Sequence, residues 1–345
     1  MKQRIPELDG LRAIAVTLVV FFHLNFYYGH VPILTELIMN GGSLGVTLFF
    51  FLSGFLMASP YVSCAQEHRL YSFSAFYRAR FLRILPLLFF TSFLFLLLRK
   101  YHHLYQDDSQ DYSLTTYLSC LLLLDDRMIR WNPVLWTLRV ELLFYIGYPL
   151  LGYLIYWGVS KNKMVWVYLI LLVCIVSSFS LFILKYQAET SFFASCHMLF
   201  LGSLNRLWYA EYVKREVGPR KPFNVWMGSI VFFILFFSYL KHHSEYKMLS
   251  GVVLVLLLNA AFYVVLIGKG YVNKFLSFGI FGFISLISYS IYLWHFNVHY
   301  SLSVPLLPPS TIICMLFGHV FSLLVIILIS ILSYRYIEAP FLRLK

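Results

Sequence analysis

Two polar side chains sit where a lipid-facing helix has little use for them. The stretch "LDGLRAIAVTLVVFFHL" (8–24) places Arg12 and His23 at the two ends of the uncharged, mostly apolar run 13–22. Eleven residues at ~100° each end about 20° past three full turns, so both side chains share one helix face, roughly 16 Å apart along the axis. An imidazole is the side chain best suited to proton transfer near neutral pH. A guanidinium is a planar fork for carboxylate or phosphate. Asp9 stands three residues before Arg12, a spacing at which helical side chains pair. Arg12 alone is explained equally well by snorkelling to the membrane edge. The pair with His23 is not.

A second constellation is "WTLRVELLFYIGYP" (136–149), which carries Glu141. On a helix entering from the inner face near Leu8, His23 lies ~22 Å into a ~30 Å hydrocarbon core. On a helix descending from the outer face, Glu141 lies ~12 Å below the outer edge. The two reach similar depths, and a His23–Glu141 dyad is expected, the carboxylate orienting the imidazole and raising its basicity. The competing role for Glu141 is to neutralise Arg139. Residues two apart on a helix do not face each other, which weakens that role.

The third is "FYRARFLRILP" (76–86), with Arg78, Arg80 and Arg83 at the expected start of a helix. An excess of cations on the inner side of a membrane protein accounts for such a cluster without chemistry. The sharper reading is an anion site, since guanidinium forks and a helix N-terminus both favour phosphate. Other intramembrane polar residues have plain explanations. His197 and His319 each lie alone on apolar segments and read as core histidines, and Arg206 reads as snorkelling.

The elements that must hold these residues follow from composition. The chain has 345 residues, 60% hydrophobic and 12% charged, far from the composition of a soluble domain. It reads as an all-α polytopic membrane protein. Candidate spans are 8–28, 43–60, 82–98, 133–157, 165–184, 191–209, 224–240, 249–267, 277–298 and 311–336, about ten transmembrane helices with both termini cytoplasmic. The run near 115–124 is too short to cross and is expected to be a short re-entrant segment. This topology puts most lysines and arginines in inner loops, as the positive-inside rule asks. The net charge of +12 then needs no nucleic acid partner. Lys2 and Arg4 before an apolar run resemble a signal peptide, but no small-residue cleavage site follows, so the run reads as a retained first span. The five cysteines form no C-x-x-C pair and suggest neither a metal site nor a disulfide framework.

In order along most of the chain, these segments resemble the acyltransferase-3 family of integral membrane acyltransferases. "PELDGLRAIAVTLVVFFH" resembles its arginine–ten–histidine signature, and "GVTLFFFLSGFLM" (45–57) its second-span motif. "FYRARFLRILP" is similar to its arginine-rich start of the third span, and "LWTLRVELLFYIGYP" to its tryptophan–glutamate motif. "ISYSIYLWHF" (287–296) and "YIEAPF" (336–341) resemble its closing segments. The resemblance implies a single transmembrane domain over 1–345 in the inner (cytoplasmic) membrane. It implies acyl-CoA, most simply acetyl-CoA, taken from the cytoplasm as co-substrate, with no permanently bound cofactor and no metal. The acyl group would go to a hydroxyl of a sugar in a cell-surface glycan or its lipid-linked precursor. The family's catalytic histidine falls on His23 and its acidic partner on Glu141. Its arginines for the CoA phosphates fall on Arg12, Arg80 and Arg83. Where the family often has two adjacent arginines this chain has Ala79-Arg80, and Arg78 is the substitute. Some relatives carry a fused extracytoplasmic hydrolase-like domain; with Lys345 soon after the last span, none is expected here.

The mechanism so implied threads the pantetheine arm past Arg12 to His23, which deprotonates the acceptor. Tyr145, Trp136 and His295 are acceptor-side candidates, with an interfacial aromatic belt the plainer reading of Trp136. The alternative is a transporter or flippase of a lipid-linked sugar or acyl donor, which also buries charge at mid-membrane. Such proteins often show two similar halves, and this sequence shows no such symmetry.

Overall fold

The computed structural model describes residues 5–28, 32–102, 132–184, 192–214, 247–268, 270–306 and 312–344. Every regular element among them is helical. In chain order these are α1 (Pro6–Tyr28), α2 (Pro32–Gln66), α3 (Phe73–His102), α4 (Leu135–Ser160), α5 (Met164–Leu184), α6 (Phe192–Lys214), α7 (Lys247–Ile267), α8 (Tyr271–Leu276), α9 (Gly279–Leu286), α10 (Ser288–Leu306) and α11 (Ile312–Ser333). A π-helical turn, Tyr334–Glu338, and the short α12 (Ala339–Leu342) close the chain. Among the described residues, four stretches are long and apolar enough to cross a membrane: Gly41–Gln66, Leu135–Ser160, Met164–Leu181 and Phe317–Leu342. The two helices flanking Ile287 make a fifth if taken as one span. Each candidate span falls on helix except 224–240, which lies outside the described residues together with the segment near 115–124.

Apolar composition sets where lipid is; backbone chemistry sets where helices start and stop. Pro6 and Pro32 open their helices, where a missing N–H costs nothing. α4 ends on Asn162 in the left-handed conformation (φ 55°), with Lys163 N–H bonding back to Gly158 O at 2.8 Å, and α5 begins at once. His68 (φ 54°) ends α2 the same way, through Arg69 N–H to Cys64 O.

The helices form two compact units. The first comprises residues 1–71 and 146–286. In it α2 packs against α1 and α6, α6 against α5, and α1 against α8 and α9. Its core joins Leu8 and Leu11 of α1 to Leu52 and Phe55 of α2 and Phe262 and Leu266 of α7. α2 and α6 come into backbone contact. A Cβ on Gly54 would stand 2.0 Å from Leu199 O, and one on Gly202 would stand 2.1 Å from Phe51 O. Small residues at a crossing are how helices pack closely where lipid supplies no hydrophobic drive. This approach also brings Ser59 and Phe55 to Arg206, whose Nε donates to Ser59 Oγ at 3.1 Å. Arg206 therefore binds a neighbouring helix instead of snorkelling. His197 is buried against the Phe179 ring, a core histidine as its isolation suggests.

The second unit comprises residues 72–145 and 287–345. α10 packs against α11 and α3, and the π turn and α12 also pack on α3. Asn132 Nδ2 donates to Leu293 O, and Tyr292 Oη to Val134 O, which fixes the start of α4 against α10.

Candidate active site

Each unit holds some of the residues singled out from the sequence. In the first unit α1 is one unbroken helix from Pro6 to Tyr28, so the shared face of Arg12 and His23 and their ~16 Å separation follow from its geometry. The His23 ring is half-buried, with the Phe22 ring edge-on at 4.9 Å. His23 Nδ1 lies 2.9 Å from Val19 O, one turn back. A carbonyl only accepts, so Nδ1 carries the proton and Nε2 is the ring's basic nitrogen. The backbone thus sets the tautomer of the ring. Asp9, beside Arg12, also accepts from Ser285 Oγ at 3.2 Å, and Glu7 accepts from Asn273 Nδ2 at 3.5 Å. The base of α1 is therefore held by α8 and α9.

In the second unit the arginine cluster meets Glu141 through a phenol. Tyr145, buried, donates to Glu141 Oε1 at 2.5 Å, one turn away on α4. The Arg80 guanidinium lies over the Tyr145 ring at 5.6 Å and over Phe76 at 5.8 Å. Arg83, one turn on from Arg80, is half-buried within electrostatic reach of Tyr145 and Tyr289. It makes no hydrogen bond or ion pair among the described residues. Arg78 is exposed, and at two residues from Arg80 it points elsewhere on the helix. One expectation is corrected. α3 begins at Phe73, so all three arginines lie beyond its first turn, where backbone N–H groups are already bonded. Any anion they hold is held by guanidinium groups and not by a helix terminus.

Two residues of this cluster were not singled out from the sequence. Tyr289 Oη donates to Ile84 O at 2.7 Å, tying α10 to the arginine-bearing helix. Glu338 is buried in the π turn and accepts from Ser290 Oγ. Both Glu338 and Glu141 are within electrostatic reach of the Tyr289 phenol. The available signal was a lone acidic residue in the closing segment, and π turns inside α-helices are frequent at functional sites. Of the acceptor-side candidates, Trp136 is half-buried near the start of α4. His295 is buried, with Nδ1 2.8 Å from Tyr292 O and 3.2 Å from Ile291 O, so its ring is bound to its own helix. His23 and Arg12 belong to the first unit; Glu141, Tyr145, Arg80 and Arg83 belong to the second.

Comparison with known proteins supplies the frame for this chemistry. An acyltransferase domain family matches residues 5–335. The peptidoglycan O-acetyltransferase OatA of Listeria monocytogenes is 24% identical over 98% of this chain and 56% of its own length. The putative peptidoglycan O-acetyltransferase YrhL of Bacillus subtilis is 26% identical over 97% of this chain and 54% of its own. The O-acetyltransferase OatA of Staphylococcus aureus is 23% identical, over 97% and 57%. The chain spans about half the length of these curated relatives. No solved structure matches it. With the family match running through both units and taking in Arg12, His23, Arg80, Arg83 and Glu141, the chain belongs to the acyltransferase-3 family.

Proposed function

We propose that this protein is a membrane O-acetyltransferase that moves an acetyl group from cytoplasmic acetyl-CoA to a sugar hydroxyl of the cell wall, peptidoglycan being the acceptor its relatives' names support. It acts as one acyltransferase domain with about ten spans and cytoplasmic termini. The observation that carries the reading is His23: a half-buried imidazole on α1, its Nδ1 held by Val19 O, within the family match.

Arg80 and Arg83 take the phosphates of the donor by paired N–H···O contacts, and Arg12 stands along the path of the pantetheine arm. His23 Nε2 removes the proton of the acceptor hydroxyl. The oxygen attacks the thioester carbonyl, the C–S bond breaks, and the proton passes from the imidazolium to the departing CoA thiolate. Ester and free CoA are the products. Glu141 supplies the negative charge that stabilises the imidazolium, and Tyr145 holds that carboxylate.

The test is acetyl-CoA turnover by the purified protein in nanodiscs with muropeptide acceptors. CoA release with an acetyl-sized mass gain on the acceptor is expected, falling about 10²–10⁴-fold in His23→Ala. Full turnover by a folded His23→Ala protein overturns the mechanism. Acceptor movement across the bilayer without CoA release would turn the reading to a transporter.

A further inference from the structure

The first unit contains a cavity of about 430 Å³ that none of the proposed chemistry uses. Tyr168 of α5, Leu204, Asn205, Trp208 and Glu211 of α6, and Asn259 of α7 line it. Asn205 is 3% exposed and spends both amide hydrogens, on Leu201 O at 2.9 Å and on Asn259 Oδ1 at 2.6 Å. That leaves Asn205 Oδ1 as an acceptor and Asn259 Nδ2 as a donor, neither with a partner among the described residues. Asn205 and Asn259 both line the cavity. Glu211 is half-buried and has no hydrogen bond or ion pair among the described residues. Trp208 has one face stacked on Tyr263 (centroids 3.6 Å, planes 29° apart) yet remains 46% exposed, which makes a rigid aromatic platform.

These groups discriminate between ligands. An anion is repelled by Glu211. A small ammonium uses the acceptors and the indole face but leaves the Asn259 donor idle and most of the volume empty. A hydrocarbon tail leaves every polar group unpaired, each at the cost of its desolvation. A neutral ring bearing adjacent hydroxyls satisfies all of them, because each hydroxyl donates and accepts. Its C–H face packs on the indole, and the volume lies within the roughly 300–1,000 Å³ of small-molecule sites. We propose that this cavity binds a neutral hydroxylated ring, a glycosyl group borne on a membrane lipid or on a free glycoside. The predicted membrane edge of this span is at residue 209, between Asn205 and Glu211, the depth of a lipid headgroup. The proposal does not rest on the acetyl-transfer reading, since none of these residues takes part in that reaction.

The experiment uses the full chain, purified without sugar-headed detergent and placed in nanodiscs. Labelled glucosyl-diacylglycerol is the first probe, with diacylglycerol and phosphatidylethanolamine as comparisons and methyl glucoside as competitor. Saturable binding of the glucosyl lipid is expected, weakened about 10–100-fold in Glu211→Gln, the loss of a hydrogen bond to a charged group. Asn259→Leu and Trp208→Leu are expected to weaken it as well. Displacement by methyl glucoside assigns a free glycoside; its failure assigns the lipid-borne form. Equal binding of diacylglycerol overturns the proposal in favour of a tail groove. Preferred binding of phosphatidylethanolamine overturns it in favour of a cation site. Glucosyl-lipid binding unchanged in all three folded variants overturns it as well.

Discussion

The Tyr145 hydroxyl donates to Glu141 Oε1 at 2.5 Å while its ring carries the Arg80 guanidinium at 5.6 Å. One side chain therefore touches both the proposed acid partner of the reaction and a proposed donor-phosphate arginine. Tyr145 was expected on the acceptor side; the structure makes it a buried link between Glu141 and α3. The link arises because α3 continues helical for nine residues ahead of its apolar run, which places Arg80 over Tyr145, one turn of α4 beyond Glu141.

Separating the two roles of Tyr145 gives the first prediction. Tyr145→Phe keeps the ring under Arg80 and removes the bond to Glu141. Losing a hydrogen bond to a charged group costs about 1.5–3 kcal/mol, so kcat should fall roughly 10–100-fold with donor KM nearly unchanged. Tyr145→Leu removes the cation–π platform too and should raise donor KM as well. Steady-state kinetics with acetyl-CoA reads the split. Equal effects of the two variants on both constants would show that the ring platform carries nothing.

The arginines should not be equivalent. Arg83 is half-buried and unpaired among the described residues, whereas Arg78 is exposed on another side of α3. Arg83→Gln is expected to raise donor KM about 10-fold or more, and Arg83→Lys to recover only part of it, since an ammonium cannot reproduce a bidentate fork. Arg78→Gln should change donor KM less than about 2-fold, as a solvated charge is screened. A larger KM effect at Arg78 than at Arg83 overturns this assignment.

The sequence showed the Arg12–His23 relation because it needs only one helix and its fixed period. It showed Glu141 and the arginines because charge in apolar surroundings stands out. It did not show who touches whom. The Tyr145–Arg80 contact depends on where α3 starts, and hydropathy marks the lipid edge, not the first helical turn. Glu338 was overlooked because an acidic residue seven from the C-terminus reads as solvated until Ser290 and the π turn are seen around it. The bond from His23 Nδ1 to the carbonyl four residues back was equally silent in the sequence, because hydropathy says nothing about a ring rotamer.

Glu338 makes a stability prediction that is distinct from catalysis. Its carboxylate accepts from buried Ser290 and ties the C-terminal turn to α10, beside Tyr289 and hence α3. Glu338→Gln preserves the shape and an acceptor and should lose less than about 1 kcal/mol. Glu338→Ala leaves the Ser290 hydroxyl without its partner and a void beside it, at about 1–3 kcal/mol or more. Thermal unfolding in a single detergent should show the larger drop for alanine. Donor KM should fall in both, because a negative charge that opposes phosphate binding beside the arginine-bearing helix is gone. Unchanged donor KM in Glu338→Gln would confine the residue to a structural role.

The crossing of α2 and α6 offers a test free of any assumption about function. A Cβ at residue 202 meets Phe51 O at 2.1 Å and Phe55 N at 2.9 Å, both backbone atoms that no rotamer change can move. Gly202→Ala must push the helices apart, at about 1–3 kcal/mol for overpacking. The shift should be transmitted to the Arg206–Ser59 bond, which bridges the same two helices. Gly147 in α4 is the control, since a Cβ there meets nothing within 4 Å. Gly147→Ala should leave unfolding temperature unchanged or slightly higher, as alanine is the better helix former by roughly 0.5–1 kcal/mol. If Gly202→Ala proves as stable as Gly147→Ala, the close approach of α2 and α6 is wrong. If Gly202→Ala is destabilised and Gly54→Ala, 2.0 Å from Leu199 O on the same crossing, is destabilised alike, the backbone contact is supported from both helices.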